Sequence, residues 1–251
     1  MVNGQSEIAI GNSPIACLQS FIYPIENMKL FTIPNFMTLG NLLCGCLGIL
    51  SVFEGNMISA SMFIGIALLL DFGDGFAARL LNSASPIGKE LDSLADVVSF
   101  GALPSFMLFN ELINNELTNG WISYIAFVMA LSSALRLAKF NVDTRQSDSF
   151  IGVPTPANAM VVAALPLIQM YQPTYAAFIT PWVILIYIVV MSYLLISELP
   201  LFALKFKSYA WAANRYVYSF LIASVVLLII FQYFAVPLII LLYVGISLVR
   251  R

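Results

Sequence analysis

Long apolar stretches separated by short polar breaks dominate the chain after the first 30 residues. A helix that crosses a bilayer needs about 20 consecutive, mostly apolar residues. On this criterion the pattern predicts an all-α polytopic membrane protein with about eight spans. The predicted spans are 36–53, 57–80, 91–110, 121–140, 155–171, 177–197, 216–232 and 234–249.

The same pattern divides the chain into three parts. Residues 1–28 are of mixed polarity without Lys or Arg, and we predict a flexible N-terminal arm rather than a signal peptide, which would begin with basic residues. Residues 29–197 form the predicted six-helix membrane core. Residues 198–251 are predicted to form an interfacial linker followed by a hairpin of two short helices, with the reversal near Pro237.

Composition supports the membrane assignment and excludes several classes of function. The chain is 61% hydrophobic and 10% charged, whereas soluble domains carry about 25% charged residues. The net charge of −2, without a basic run, gives no sign of a nucleic-acid partner. The chain has no histidine, which excludes histidine metal ligands and bases, and its three cysteines make no disulfide framework.

The basic residues define an orientation. With eight spans and both termini on one side, all eleven Lys and Arg residues fall on that side. The loops on the other side carry only acidic charge, at Glu54, Glu111 and Glu116. Because positively charged loops stay in the cytoplasm, we predict an inner-membrane protein with cytoplasmic termini. The polar ends of the second and third spans then face the cytoplasm.

Four aspartates lie at those ends: Asp71, Asp74, Asp92 and Asp96. Acidic groups near hydrocarbon are costly and are functional candidates by default. At helical pitch, the first two lie one turn apart on one helix and the last two one turn apart on the next. Carboxylate oxygens are the ligands that Mg²⁺ prefers. The sequence therefore predicts a site for one or two divalent cations.

Small residues and one arginine accompany the aspartates. Gly75 and Ala78 fall beside Asp71 on the helix and would leave room for a ligand. Arg79 offers a planar fork that suits phosphate. These residues together indicate a cavity for a metal-bound diphosphate. The alternative is that the aspartates only pair with Arg79 and Lys89 at a hydrated helix end.

This run resembles the signature of the CDP-alcohol phosphotransferase family, D-x2-D-G-x2-A-R-x8-G-x3-D-x3-D. The matching positions are Asp71, Asp74, Gly75, Ala78, Arg79, Gly88, Asp92 and Asp96. Members of that family are integral membrane enzymes that move a phosphate-bearing group from a CDP-alcohol to another alcohol and release CMP. The resemblance implies the family's six-helix core and the same class of reaction.

The resemblance also implies roles for the matched residues. Asp71, Asp74 and Asp92 would bind Mg²⁺ or Mn²⁺, and Asp96 would be a further metal ligand or the general base. The residues implied to bind the CDP group are Gly75, Ala78, Arg79 and Gly88.

The start of the first span carries further polar residues. Asn35 is predicted to cap the helix. Thr38 and Asn41 share one face of that helix and are candidates for contact with the nucleotide.

Three further stretches resemble the phosphatidylserine synthase branch of the family. They are 96–101 (DVVSFG), 136–141 (RLAKFN) and 152–156 (GVPTP). The resemblance implies CDP-diacylglycerol as donor, L-serine as acceptor and a homodimer. Serine carries a carboxylate, which needs a cation, and Arg136 is the first candidate. Candidates that would support it are Lys139, Asn141 and Arg145.

Several alternatives stay open at this point. The alternative for Lys139 and Arg145, and to a lesser extent for Arg136, is that the charge sets the topology or contacts lipid headgroups. The acceptor is serine, or glycerol phosphate, inositol or inositol phosphate, and the donor carries acyl or ether chains. A cation channel or transporter would use the aspartates for permeation, but it leaves the spacing of Gly75, Ala78, Arg79 and Gly88 unexplained.

Overall fold

The computed structural model describes residues 30–143, 149–202 and 211–249. The helices in these ranges are α1 (Ile33–Phe53), α2 (Met57–Leu80), α3 (Pro86–Asp96), α4 (Leu103–Ile113), α5 (Phe127–Val142), α6 (Thr155–Tyr171), α7 (Pro173–Ala176), α8 (Pro181–Ile196), α9 (Trp211–Phe231) and α10 (Ala235–Val249). A π-helical segment, Val97–Ala102, joins α3 to α4. 3₁₀ turns occupy Gly120–Ala126 and Gln232–Phe234. Two short antiparallel strands, β1 (Ser149–Ile151) and β2 (Pro200–Phe202), pair beside α6 and α8.

Five helical stretches in the described ranges are long and apolar enough to cross a membrane. They are Ile33–Phe53, Met57–Leu80, Pro86–Ile113, Gly120–Val142 and Asn214–Leu248. The predicted all-α membrane class is therefore confirmed, whereas the count of eight spans is not. Helix α8 is apolar but has 16 residues, or about 24 Å at 1.5 Å per residue, less than the ~30 Å hydrocarbon core.

The third predicted span begins five residues earlier than its apolar pattern suggests, at Pro86. The side chain of Ser85 accepts a hydrogen bond from the Gly88 N–H at 3.1 Å and so caps the helix. Proline at the first helical position fits this arrangement because its missing N–H would have no partner there. The capped start puts Gly88 and the aspartate region on one continuous helix.

Helix α1 lies unusually close to the π-helical segment. A Cβ atom placed on Gly45 would lie 3.0 Å from backbone atoms of Ser99, so only glycine allows this approach. The Ser99 hydroxyl donates to the backbone oxygen of Asn41 at 2.8 Å. These contacts fix the backbone that follows Asp96, and π-helical insertions frequently mark functional sites.

The core lies where α1, α2, the π-helical segment, α4, α5, α6 and α8 meet, and α9 and α10 add buried side chains to it. Its largest fully buried side chains include Phe100, Ile64, Leu103, Met129 and Ile188. Many large apolar residues on the outer helix faces are instead exposed, such as Leu69 at 74%. Such an outward apolar surface is expected where lipid is the solvent.

The chain reverses between α9 and α10. Gln232 has a positive φ of 49°, and the rings of Phe220 and Tyr243 lie 5.7 Å apart across the two helices. The amide of Gln172 donates to the Phe231 carbonyl at 2.9 Å and accepts from the Phe234 N–H at 3.0 Å. Gln172 thus ties the reversal to the end of α6. The reversal comes before Pro237, which lies within α10.

Candidate active site

Three of the four aspartates meet between α2 and α3. Asp71, Asp74 and Asp92 each offer one carboxylate oxygen, and these oxygens lie within 4.8 Å of one another. Asp74 is buried, whereas Asp71 and Asp92 are partly buried. Since α2 ends at Leu80 and α3 begins at Pro86, the short turn between them brings the two helix faces together. We call these three residues the aspartate triad.

Asp96 lies one turn beyond Asp92 on α3 and does not belong to the triad. Its carboxylate is 6% exposed and accepts a hydrogen bond from the Asn41 amide at 3.1 Å. The Asn41 backbone is in turn held by Ser99. Asp96 is therefore fixed by α1 and differs from the triad in its surroundings.

Helix α1 also supports the triad. The Thr38 hydroxyl lies 2.5 Å from an Asp74 carboxylate oxygen and 3.0 Å from the Pro34 carbonyl. A hydroxyl has one proton, and the shorter contact to the charged group takes it. Thr38 and Asn41, which the sequence suggested as nucleotide contacts, thus both contact aspartates.

The predicted cap at Asn35 is wrong. Thr32 is the N-cap of α1, and its side chain accepts from the Asn35 N–H. The Asn35 amide instead donates to the Leu30 carbonyl at 2.8 Å. Proline at position 34 moves the helix start upstream, because proline suits the first turn.

A cavity of about 210 Å³ adjoins the triad. Its lining residues are Pro34, Asn35, Thr38, Asp74, Gly75, Ala78, Ser83, Ala84, Ser85, Gly88, Lys89 and Asp92. A Cβ on Gly75 would meet nothing within 4 Å, so that position borders open space. A Cβ on Gly88 would lie 3.1 Å from Asn35 and Ser85 side-chain oxygens, so a larger residue there would press on both side chains.

The sequence interpretation missed the turn at 83–85, which forms one wall of the cavity. The Ser85–Pro86 pair was its available signal, because serine before proline is typical of a helix start. Arg79, predicted to bind phosphate, is exposed and outside the cavity lining. Thr38, Gly75, Ala78 and Gly88 do line it.

The triad has the chemistry of a site for a hard cation. One oxygen of Asp92 is buried without a hydrogen-bond partner, and buried polar atoms are rarely left so. Within residues 30–143, none of the triad forms an ion pair with Arg79 or Lys89, and the Lys89 ammonium donates to the Asn141 carbonyl at 3.0 Å. Three carboxylates without a neutralising partner fit Mg²⁺ or Mn²⁺, which prefer oxygen ligands.

A second polar region surrounds Arg136 on α5. The side chain is 8% exposed, and one guanidinium nitrogen donates to the Thr155 hydroxyl at 3.2 Å. Its Nε atom is buried and has no partner among the described residues. Arg136 is also close enough to Asp96 for the two charges to interact. A buried cation thus lies within electrostatic range of the fourth aspartate.

The other predicted serine contacts lie differently. Lys139 forms an ion pair with Glu198 at 3.1 Å. The Asn141 amide donates to the Ser93 hydroxyl at 2.8 Å and ties α5 to α3. Arg145 lies outside the described residues. Of the described candidates, Arg136 alone is buried beside the aspartates.

A sequence profile described as CDP-alcohol phosphatidyltransferase matches residues 31–195, which is more than half of the chain. The chain belongs to this family. The matched range contains the triad, Asp96, Arg136 and the cavity, but not α9 and α10. The family assignment therefore covers every element that builds the site.

Named relatives resemble most of the chain. The CDP-diacylglycerol–serine O-phosphatidyltransferase of Bacillus subtilis is 37% identical over 171 residues, 66% of this chain and 88% of that protein. The Helicobacter pylori protein of the same name is 32% identical over 207 residues, 81% of this chain and 84% of that one. An archaetidylserine synthase of Methanothermobacter thermautotrophicus is 31% identical over 149 residues, covering 59% and 63%.

Proposed function

We propose that the protein transfers a phosphatidyl group from CDP-diacylglycerol to the hydroxyl of L-serine, which yields phosphatidylserine and CMP. The observation that carries this proposal is the aspartate triad beside a cavity, in a chain similar to relatives named for this reaction. The buried Arg136 near Asp96 supports an acceptor that carries a carboxylate.

In this proposal the triad binds one or two divalent cations, Mg²⁺ or Mn²⁺. When bound, the metal neutralises the diphosphate of the donor and stabilises CMP as leaving group. Thr38 holds the Asp74 carboxylate through its hydroxyl. The small residues of the cavity wall leave space for the CDP group, and Arg79 contacts a phosphate at the rim.

Asp96 acts as the general base. It accepts the proton of the serine hydroxyl while that oxygen forms a bond to the β-phosphorus of the donor and the bond to CMP breaks. Asn41 orients the carboxylate through its amide. Arg136 binds the serine carboxylate near Asp96, with Lys139, Asn141 and Arg145 as outer polar contacts.

The membrane arrangement is also part of the proposal. We place the site and both termini at the cytoplasmic face, on the asymmetry of the basic residues. A six-helix catalytic core at 29–197 and a C-terminal hairpin at 198–251 would give about eight spans, and the predicted arm at 1–28 lies outside the described residues. The chains of the donor stay in lipid beside the exposed apolar helix faces. The enzyme is proposed to act as a homodimer.

The test is an acceptor panel with the purified protein in phospholipid vesicles. CDP-diacylglycerol and Mg²⁺ or Mn²⁺ are combined with labelled serine, glycerol phosphate, inositol or inositol phosphate. We expect phosphatidylserine and an equal amount of CMP with serine alone. Product with glycerol phosphate and none with serine would overturn the choice of acceptor. A parallel series with an ether-linked donor distinguishes the two chain types.

A further inference from the structure

Two buried nitrogen atoms on neighbouring helices have no hydrogen-bond partner among the described residues. They are the Nε of Arg136 on α5 and the amide nitrogen of Asn158 on α6. Asn158 is 0% exposed and Arg136 is 8% exposed. Since buried donors are nearly always paired and an unpaired one is costly, these two nitrogen atoms are available to acceptors from a ligand.

Thr155 connects the two donors. Its hydroxyl accepts from Arg136 at 3.2 Å, and it precedes Asn158 by three residues, so that the two share one face of α6. The hydroxyl of Ser133, which precedes Arg136 by three residues on α5, is also buried without a described partner. Arg136 on α5 and Thr155 with Asn158 on α6 thus place polar groups where the two helices meet, and Ser133 lies beside Gly101 of the π-helical segment.

The start of α6 adds to the positive character of this region. Helix α6 begins at Thr155, and in the part of the chain that the structure describes no side chain caps its first turn, where Pro156 has no N–H to offer. The free N–H groups at a helix start, together with the helix dipole, favour an anion. The helix start is independent of the unpaired side-chain donors, and like them it favours a negatively charged ligand.

Tyr187 fixes how Asn158 presents its amide. The Tyr187 hydroxyl, on α8, donates to the Asn158 side-chain oxygen at 2.7 Å. Because this contact occupies the side-chain oxygen, the amide nitrogen remains available to bind a ligand, and it can only donate hydrogen bonds. Lys139 near the end of α5 also forms an exposed ion pair with Glu198, just beyond the end of α8.

The charge of the region selects the kind of anion. Arg136 is the one full positive charge in the group formed by Ser133, Arg136, Thr155 and Asn158, and Asp96 lies near it. A carboxylate, with one negative charge and two oxygens, matches a single guanidinium and an amide donor. A phosphate monoester would bring a second negative charge close to Asp96.

We infer that Asn158, oriented by Tyr187, binds the carboxylate of the acceptor amino acid together with Arg136. Asn158 is then a residue that determines specificity, and Tyr187 is a positioning residue. This inference rests on the proposed function, because it assumes that the acceptor is an amino acid that reaches Asp96.

The experiment compares steady-state kinetics of the full-length wild type with Asn158→Ala, Asn158→Asp and Tyr187→Phe. Loss of a hydrogen bond to a charged group predicts a serine KM raised about 10- to 100-fold in Asn158→Ala, with kcat and the KM for CDP-diacylglycerol little changed. Asn158→Asp brings like charges together and is expected to raise the KM further. Tyr187→Phe leaves Asn158 present but unoriented, so we expect a rise of about 3- to 10-fold. Tyr193→Phe, an exposed tyrosine on the same helix, is the matched control and keeps the wild-type KM.

The outcomes separate the inference from the proposed function. A wild type that makes no phosphatidylserine refutes the proposed function before any variant is compared. A serine-active wild type whose Asn158→Ala and Tyr187→Phe variants both keep the serine KM refutes the inference. If Asn158→Ala does not fold, the Tyr187→Phe variant decides. A serine KM equal to that of Tyr193→Phe overturns the inference. A rise in the serine KM without a rise in the KM for CDP-diacylglycerol supports it.

Discussion

Replacing Thr38 by valine removes one hydrogen bond from the aspartate triad and keeps the shape of the side chain. The Thr38 hydroxyl donates to an Asp74 carboxylate oxygen at 2.5 Å, and both residues are buried, at 3% and 6% exposure. The valine variant removes this donor from a carboxylate of the triad, at a position that lines the cavity. We therefore expect the triad to bind its cation more weakly, although Thr38 is not itself a ligand.

The magnitude follows from the kind of bond that is lost. Hydrogen bonds to charged groups contribute about 1.5–3 kcal/mol, which corresponds to roughly 10- to 150-fold in an equilibrium constant. Loss of partners that orient metal ligands typically lowers metal affinity about 10- to 100-fold. We expect Thr38→Val to weaken Mn²⁺ binding within this range.

Mn²⁺ binding can be measured directly from the electron paramagnetic resonance signal of the free ion, in parallel with the Mn²⁺ dependence of turnover. Thr38→Ser keeps the hydroxyl and should stay close to the wild type. Ser51→Ala is the matched control, because Ser51 is a buried hydroxyl on the same helix whose bond goes to the Leu47 carbonyl. If the Thr38→Val protein is folded and binds Mn²⁺ like the wild type, the Thr38 hydroxyl does not support metal binding by the triad.

Three further predictions concern packing, the base and the metal. Gly45→Ala places a Cβ 3.0 Å from the Ser99 backbone, so overpacking should cost about 1–3 kcal/mol and lower the thermal midpoint of unfolding in detergent. The control is Gly65→Ala, where an added Cβ meets nothing within 4 Å and the midpoint should not fall. Equal midpoints for the two variants would contradict the close packing at Gly45. Asp96→Asn should lower kcat by about 10²- to 10⁴-fold while Mn²⁺ affinity is kept, and near-normal turnover would remove the assignment of the base. Chelation should abolish turnover and Mg²⁺ or Mn²⁺ should restore it; activity that persists in chelator argues against a metal enzyme.

The juxtaposition of the triad could be predicted because it depends on local geometry. Helical periodicity places Asp71 and Asp74 on one face of α2, and the turn that follows Leu80 returns the chain directly into α3. Asp92 then meets them after one short connection. Long apolar stretches likewise gave most helix bounds within a few residues, because each stretch must form its own hydrogen bonds in lipid.

Contacts between distant helices could not be predicted in this way. The bonds from Thr38 and Asn41 to aspartates depend on how α1 is rotated against α2 and α3, which periodicity does not specify. The π-helical segment after Asp96 changes which residues face α1, and its sequence is as apolar as an ordinary helix. The pairing of Asn158 with Tyr187 likewise joins residues from separate helices.

A crystal structure with CDP-diacylglycerol and Mn²⁺ tests the central claim most directly, because the anomalous signal of manganese locates the ion independently of the protein. We expect a manganese peak bound by Asp71, Asp74 and Asp92 and by the donor diphosphate, with Asp96 facing the β-phosphorus. A peak elsewhere, or a diphosphate bound away from the triad, would contradict it.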